Sequence, residues 1–287
     1  MSIFLSDAAR AEFDAEVKHA YQMSPNMRSA VTFRGGVVGD TYNFRTMGQG
    51  LAKQKAVQDD VVPMNVVHAK VPVTLADWHA AEYTDIFAAA TVNFDEQQEL
   101  AYTIAQAIQR REDQLIIDAL EAANGTNMTV SQNIGGTNSG LNIDKIRKAA
   151  RLLDDNGVPM NDRYYVGAVR GKEDLLGLQQ ATSSDYANVK ALVNGDIDTF
   201  MGFKFFWVPT LSEGGLQLSA NVRKNFAFHK ASVGLAVGLD NQVKVDWVPQ
   251  KTSWLACQTY KAGAIYREGT TGTTQIRGIV ELSVYEA

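Results

Sequence analysis

Apolar positions between residues 93 and 123 recur with helical period. Ala101, Ile104, Ala105 and Ile108 make one stripe, and Leu115, Ile116, Ala119, Leu120 and Ala123 make a second. Asn93 and Glu96 have the spacing of a capping box, and Asn124-Gly125 supplies a stop. The pattern predicts one helix over 94–123, a rod of about 45 Å at 1.5 Å per residue. That is long for a domain of this size. Between the stripes lies Gln109-Arg110-Arg111-Glu112-Asp113-Gln114, polar on every side. The ordinary reading is a solvated waist with an Arg110–Asp113 pair. The sharper one is a segment that meets charged groups on a neighbouring chain.

Upstream the period changes to two. Val67, Ala69, Val71, Val73 and Leu75 alternate with His68, Lys70, Pro72 and Thr74, as in a half-exposed edge strand. Tyr42 and Phe44 share one face of a run near Thr41–Arg45, and Val31–Arg34 is a further β-prone run. Between the runs, MGQGLAKQKAVQDDVVPMN carries Lys53, Lys55, Asp59 and Asp60 near its middle. The expectation is a two-stranded ribbon over about 37–75, which is marginal by itself in water and needs a neighbour.

Residues 2–24 read as a helical arm ended by Ser24-Pro25, and NGTNMTVSQNIGGTNSG as a loop or hairpin. LNIDKIRKAARLLDDNG reads as a helix that stops at Asn156-Gly157. YYVGAV reads as a buried strand, KEDLLGLQQ as a short helix, and FKFFWVPTL as an apolar strand ending at Pro209. From Asn225 onward the chain is a string of β-like runs. The fold class is therefore α+β, with a mostly antiparallel set of strands.

Composition narrows the function more than it names it. The 287 residues are 45% hydrophobic and 21% charged, enough for one large core or two modest ones. No apolar run approaches a membrane span, and the start lacks the pattern of a signal peptide. One cysteine, Cys257, excludes an internal disulfide and reads as an inert buried thiol in a reducing compartment. A net charge of -5 argues against a dedicated nucleic-acid binder. It leaves open enclosing nucleic acid without gripping it.

Candidate chemistry is thin. Gly48 to Lys53 lacks the full phosphate-loop pattern, and Gly135 to Gly140 before a helix reads as an ordinary connection before an anion cradle. His19, His68, His79 and His229 have no metal-ligand spacing. Asp59-Asp60 and Asp154-Asp155 are neighbours whose side chains diverge, and no GxSxG elbow occurs. We expect no catalytic residues, cofactor or metal.

The order of elements and the phrases EYTDIF, VNFDEQQELA, RREDQLIIDAL and NGVPMNDRYYV resemble the major capsid protein of tailed bacteriophages. That is the HK-type capsid fold, shared with encapsulins, and the resemblance spans essentially the whole chain. It implies an N-terminal arm over 1–30, an extended loop over 31–78 and a peripheral domain over 79–140 with the long helix as its spine. An axial domain over 141–250 and a return to the peripheral domain over 251–287 complete it. It also implies self-assembly into hexamers and pentamers of an icosahedral head that encloses double-stranded DNA. Partners would be further copies, a separate scaffolding protein, a portal and, in some heads, a cement protein; no membrane is involved. The setting would be the virion, assembled in the host cytoplasm.

Because Met1 opens directly on the arm, we expect no cleaved N-terminal segment. Lys53 and Lys55 sit where a cross-linking lysine could lie, but no acceptor Asn is identifiable, so ordinary ion pairs are expected. Candidates for contacts between subunits are Lys53, Lys55, Asp59, Asp60, Arg110, Arg111, Glu112 and Asp113. Gly35-Gly36, Gly48 to Gly50 and Gly135 to Gly140 are candidate hinges. Two other readings stay open: an encapsulin-like compartment that encloses enzymes, and a soluble α+β enzyme or binder.

Overall fold

The computed structural model describes residues 26–86, 96–123, 128–177, 199–267, 269–271 and 274–286. Residues 1–25 of the N-terminal arm, Asn93 of the capping box and the Asn124-Gly125 stop lie outside them. The long helix is a single element, Glu96–Ala122, about 40 Å at the usual rise. From the two stripes Ile104, Ile108, Ile116, Ala119, Leu120 and Ala123 are buried, while Ala101 and Leu115 are half-buried and Ala105 is exposed; Ile117, outside both stripes, is buried as well.

The chain divides into two compact units. The smaller draws on residues 1–22, 78–108 and 240–260, the larger on 23–77, 109–239 and 261–287. In order, the strands are β1 (Thr32–Arg34), β2 (Thr41–Met47), β3 (His68–Thr74), β4 (Ala76–Asp85), β5 (Met128–Val130) and β6 (Arg163–Ala168). They continue with β7 (Thr199–Phe200), β8 (Phe203–Val208), β9 (Leu218–Ser219), β10 (Val222–His229) and β11 (Val233–Asp240). The last are β12 (Lys244–Val248), β13 (Ser253–Tyr266), β14 (Gly269–Thr271), β15 (Thr274–Ile276) and β16 (Ile279–Tyr285).

A seven-stranded sheet dominates the larger unit, in the order β5-β16-β10-β6-β8-β7 with β9 beside β10. Every residue of β6 is buried, which a strand covered on both faces requires. The helix Ile143–Asp155 packs Ile146, Ala149 and Leu153 with Tyr165, Phe205 and Trp207 in one core. Its start is capped by Asn142, whose side chain accepts from the Lys145 amide at 2.8 Å. Its end turns at Gly157, where φ is 68°. The short helix is Val169–Leu176.

The strand pairings are mostly antiparallel, as expected, while β6 pairs β8, β5 pairs β16 and β1 pairs β11 in parallel. The stretch after the long helix, expected as a loop or hairpin, contains β5. The final strand lies between β10 and β5. Its sequence explains the placement: Ile279, Val280, Leu282 and Val284 are all buried, so both faces need cover.

In the smaller unit β12 runs antiparallel to the first half of β13, with Trp247 opposite Trp254 and their rings 5.3 Å apart. Lys251 places its ammonium 3.8 Å from the centre of the Tyr83 ring. Cys257, opposite Lys244, is half-buried instead of fully enclosed.

Candidate functional site

The ribbon forms, but over less of the chain than its alternation suggests. β2 and β3 pair antiparallel from Thr41↔Thr74 to Met47↔His68. Tyr42 and Phe44 meet edge to face at 4.9 Å, and Pro72 sits on a strand whose outer side is open, as expected. Beyond Met47, one further bond joins Gly48 N–H to the Val67 carbonyl at 2.9 Å. Residues 49–67 then run without strand pairing. Within this segment Gln58 and Asn65 have positive φ and Pro63 cannot donate to a ladder, so the backbone breaks any strand despite the valines present.

Lys53, Lys55, Asp59 and Asp60 all lie on this tip and are exposed. Asp59 shapes the local turn, where its amide donates to Ala56 and its carboxylate accepts from Asp60 N–H at 2.9 Å. Among the described residues no ion pair joins these four to anything else. Their apolar neighbours are equally bare: Leu51 is 80% exposed, Val57 96% and Val61 78%. Three exposed aliphatic side chains in so short a span are unusual for a surface with no partner.

The polar waist of the long helix is a different environment. Glu112 is 5% exposed and Asp113 only 1%, so the reading of a solvated middle is overturned. The segment 26–30 folds over it as a one-turn 3-10 helix, Met27–Ala30, with Met27 and Ala30 fully buried. Asn26 caps this turn with no side-chain bond of its own. Asp113 does it instead, accepting from Met27 N–H at 2.8 Å and from Asn26 N–H at 3.2 Å. A buried carboxylate thus satisfies two amides that the turn leaves unbonded. Glu112 takes the Arg28 guanidinium in a two-pronged pair, with Nε donating to Oε1 at 2.7 Å and Nη2 to Oε2.

A second segment closes on the same stretch. Gln114 accepts from Gly214 N–H at 2.8 Å and donates to Asp118 at 2.7 Å. Arg111 lies 3.7 Å from Glu213 and 4.0 Å from Asp118. Gly214 has φ 76°, a backbone conformation that favours glycine, and it lies close against the Arg110 backbone. Nearby, Glu121 is held above the ordinary carboxylate value by burial and by the charge of Asp118.

The eight candidate residues therefore separate. The four on the ribbon tip face solvent, while Glu112 and Asp113 are engaged by their own chain. Arg28, Glu213 and Gly214, which complete the waist, carry no signal in the sequence: they stand 84 and about 100 positions from their partners. Among the described residues no three His, Cys, Asp or Glu side chains are placed to hold a metal. In those residues no helix is long and apolar enough to cross a membrane. The Gly135 to Gly140 loop is filled by the chain's own groups: Asn142 donates to the Ile134 carbonyl, and Asp174 accepts from Leu141 N–H at 2.9 Å.

A family model described as phage capsid protein matches residues 5–277. No curated protein matches the chain. Among solved structures, the capsid of Cyanophage P-SCSP1u is similar with a TM-score of 0.74 and 14% identity, covering 99% of this chain and 94% of that one. The head of Helicobacter pylori bacteriophage KHP40 gives a TM-score of 0.75 at 13% identity, covering 96% and 95%. Mycobacterium phage Che8 gives 0.69 at 14%, covering 96% and 97%. At these identities the likeness speaks of fold.

Proposed function

The chain belongs to the phage capsid protein family and is a structural major capsid protein of the HK-type fold, and from that premise we propose that it builds an icosahedral head from hexamers and pentamers around double-stranded DNA. Assembly takes place in the host cytoplasm with a separate scaffolding protein and a portal, and with a cement protein in heads that use one. The ribbon tip overlaps a neighbouring subunit, with Lys53, Lys55, Asp59 and Asp60 as its charged contacts and Leu51, Val57 and Val61 as its apolar ones. Arg110 and Arg111 add contacts at the helix surface, while Glu112 and Asp113 join the interface only through the segment they hold.

The observation that carries this reading is the bare tip. Covering an exposed Leu or Val is worth roughly 1.5–3 kcal/mol per side chain, and a lone subunit forgoes it. Repeated across many copies, that gain favours a closed shell over free subunits. The net charge of -5 is in keeping with a wall that encloses DNA without gripping it.

Size-exclusion chromatography and electron microscopy of the purified protein test the proposal. Capsomers or closed megadalton shells are expected. A monodisperse monomer of 31.4 kDa at every protein concentration and salt would overturn it. Shells filled with enzyme cargo instead of DNA in the infected cell would favour the encapsulin-like alternative.

A further inference from the structure

The root of the ribbon is built quite unlike its tip. Phe44 and Val73, one from each leg, are 4% and 2% exposed and pack with Leu75 and Ala236 in a small core of their own. Three glycines on the underlying strands make room for it. A Cβ at Gly234 of β11 would come within 2.6 Å of the Phe44 ring. At Gly263 of β13 it would stand 2.2 Å from the Thr74 carbonyl oxygen, and at Gly238 of β11 3.0 Å from Leu75 and from the Val37 carbonyl. None of the three has a positive φ, so they serve close approach and not backbone freedom.

Two cations then clamp what the glycines admit. Arg267 donates from Nη2 to the Arg45 carbonyl at 2.9 Å and reaches Thr32 Oγ1 at 3.5 Å. Its guanidinium carbon lies 5.3 Å from the centre of the Phe44 ring. Lys261 places its ammonium 2.6 Å from Asp40 and 3.5 Å from Asp77. Those two carboxylates flank the ribbon, one just before β2 and one just after β3. A backbone bond from Leu75 N–H to the Asp40 carbonyl at 2.8 Å ties the same two feet.

We propose that this root is a socket that sets the angle at which the ribbon leaves the subunit, with Gly234 and Arg267 as the positioning residues. Its importance for assembly rests on the reading of the tip as an intersubunit contact. Leverage explains why the angle matters. The seven-residue legs span about 23 Å at roughly 3.3 Å per residue. A tilt of about 10° at the root therefore moves the far end by about 4 Å on that length. That is enough to take a side chain out of contact with its target. The glycines that seat the ribbon are thus packing positions in strands, with Gly234 and Gly263 buried, and not the Gly35-Gly36 or Gly48 to Gly50 stretches.

The test reads angle and assembly separately. Spin labels at His68→Cys, at the far end of the paired legs, and at Lys172→Cys, in a Cys257→Ser background, report the distance from the ribbon to the core by electron resonance on the full chain. The unaltered root should give one narrow distribution. Gly234→Ala should shift or broaden it by several ångströms and cut the yield of closed shells at least tenfold. Adding Phe44→Leu, which removes the colliding ring, should recover much of both.

Arg267→Lys, which keeps the charge but loses the two-point grip, should broaden the distribution with little change in thermal unfolding; it stands in if Gly234→Ala fails to fold. An unchanged distance distribution in the folded variants would overturn the socket, whatever the shells do. Absence of shells from the unaltered protein would instead remove the assembly reading and leave the distance result to decide the socket.

Discussion

The helix waist and the ribbon tip look alike in sequence: each carries two cations and two carboxylates in a short polar run. In the structure they are opposites. Glu112 and Asp113 are enclosed and bonded to residues 26–28, whereas Asp59 and Asp60 face solvent with Lys53 and Lys55. The difference lies in what the chain brings to each place. At the waist a turn arrives with unbonded amides, and a buried carboxylate meets them at lower cost than water could there. At the tip no segment of the described chain arrives at all. One polar run therefore belongs to the fold of the subunit, and the other is left for a neighbour.

Substitutions should separate the two regions, starting with the largest effect. Asp113→Ala removes the acceptor of two buried amides and should cost about 3 kcal/mol of stability, read as a fall in the denaturant midpoint of the subunit. An unchanged midpoint would mean that the turn does not depend on this carboxylate. Glu112→Gln keeps the shape but weakens a partly exposed pair, for a loss of about 1 kcal/mol. Arg28→Ala made in the same background should then add little, because the two groups act together.

Lys145 extends the comparison to a buried cation. It is fully enclosed and donates to the Ser139 carbonyl at 2.6 Å and the Ser283 carbonyl at 3.0 Å. Burial lowers its pKa from 10.5 to about 8, against an opposing pull from Asp174. Between those values the unfolded chain holds a proton that the folded chain has released, so stability rises with pH across the window. The gain is lost as pH falls through about 8. Unfolding free energies from pH 8 to 10.5 should show this slope, and Lys145→Met should flatten it. Equal slopes in both proteins would show that Lys145 is not the group responsible.

The smallest effect on folding belongs to the tip. Lys53→Ala with Lys55→Ala should change unfolding by no more than about 0.5 kcal/mol, as exposed positions do, while lowering shell yield severalfold. Normal shells from this double variant would leave the apolar tip residues as the only contacts worth pursuing.

Local pattern was enough to read the elements themselves. The long helix, the capped helix ending at Gly157 and the alternating legs of the ribbon all follow from periods of 3.6 and 2 together with their stop signals. The resemblance carried by the four short phrases reached the family. What escaped was every relation between distant segments. β5 was hidden because MTV is too short to announce a strand without β16 beside it. The neighbours of the final strand were not legible because alternation records which faces are buried and not what buries them.

The candidate site divides along the same line. The sequence by itself determined that a charged waist and a Lys-bearing tip exist, since composition and period are local properties of a chain. Only the tertiary structure decided that Asp113 caps a turn 86 positions away, that Gly234 yields its space to Phe44, and that Arg267 grips the ribbon at Arg45. Such contacts depend on desolvation and close packing between parts that meet only when folded, and a side chain's charge or size says nothing in advance about its partner.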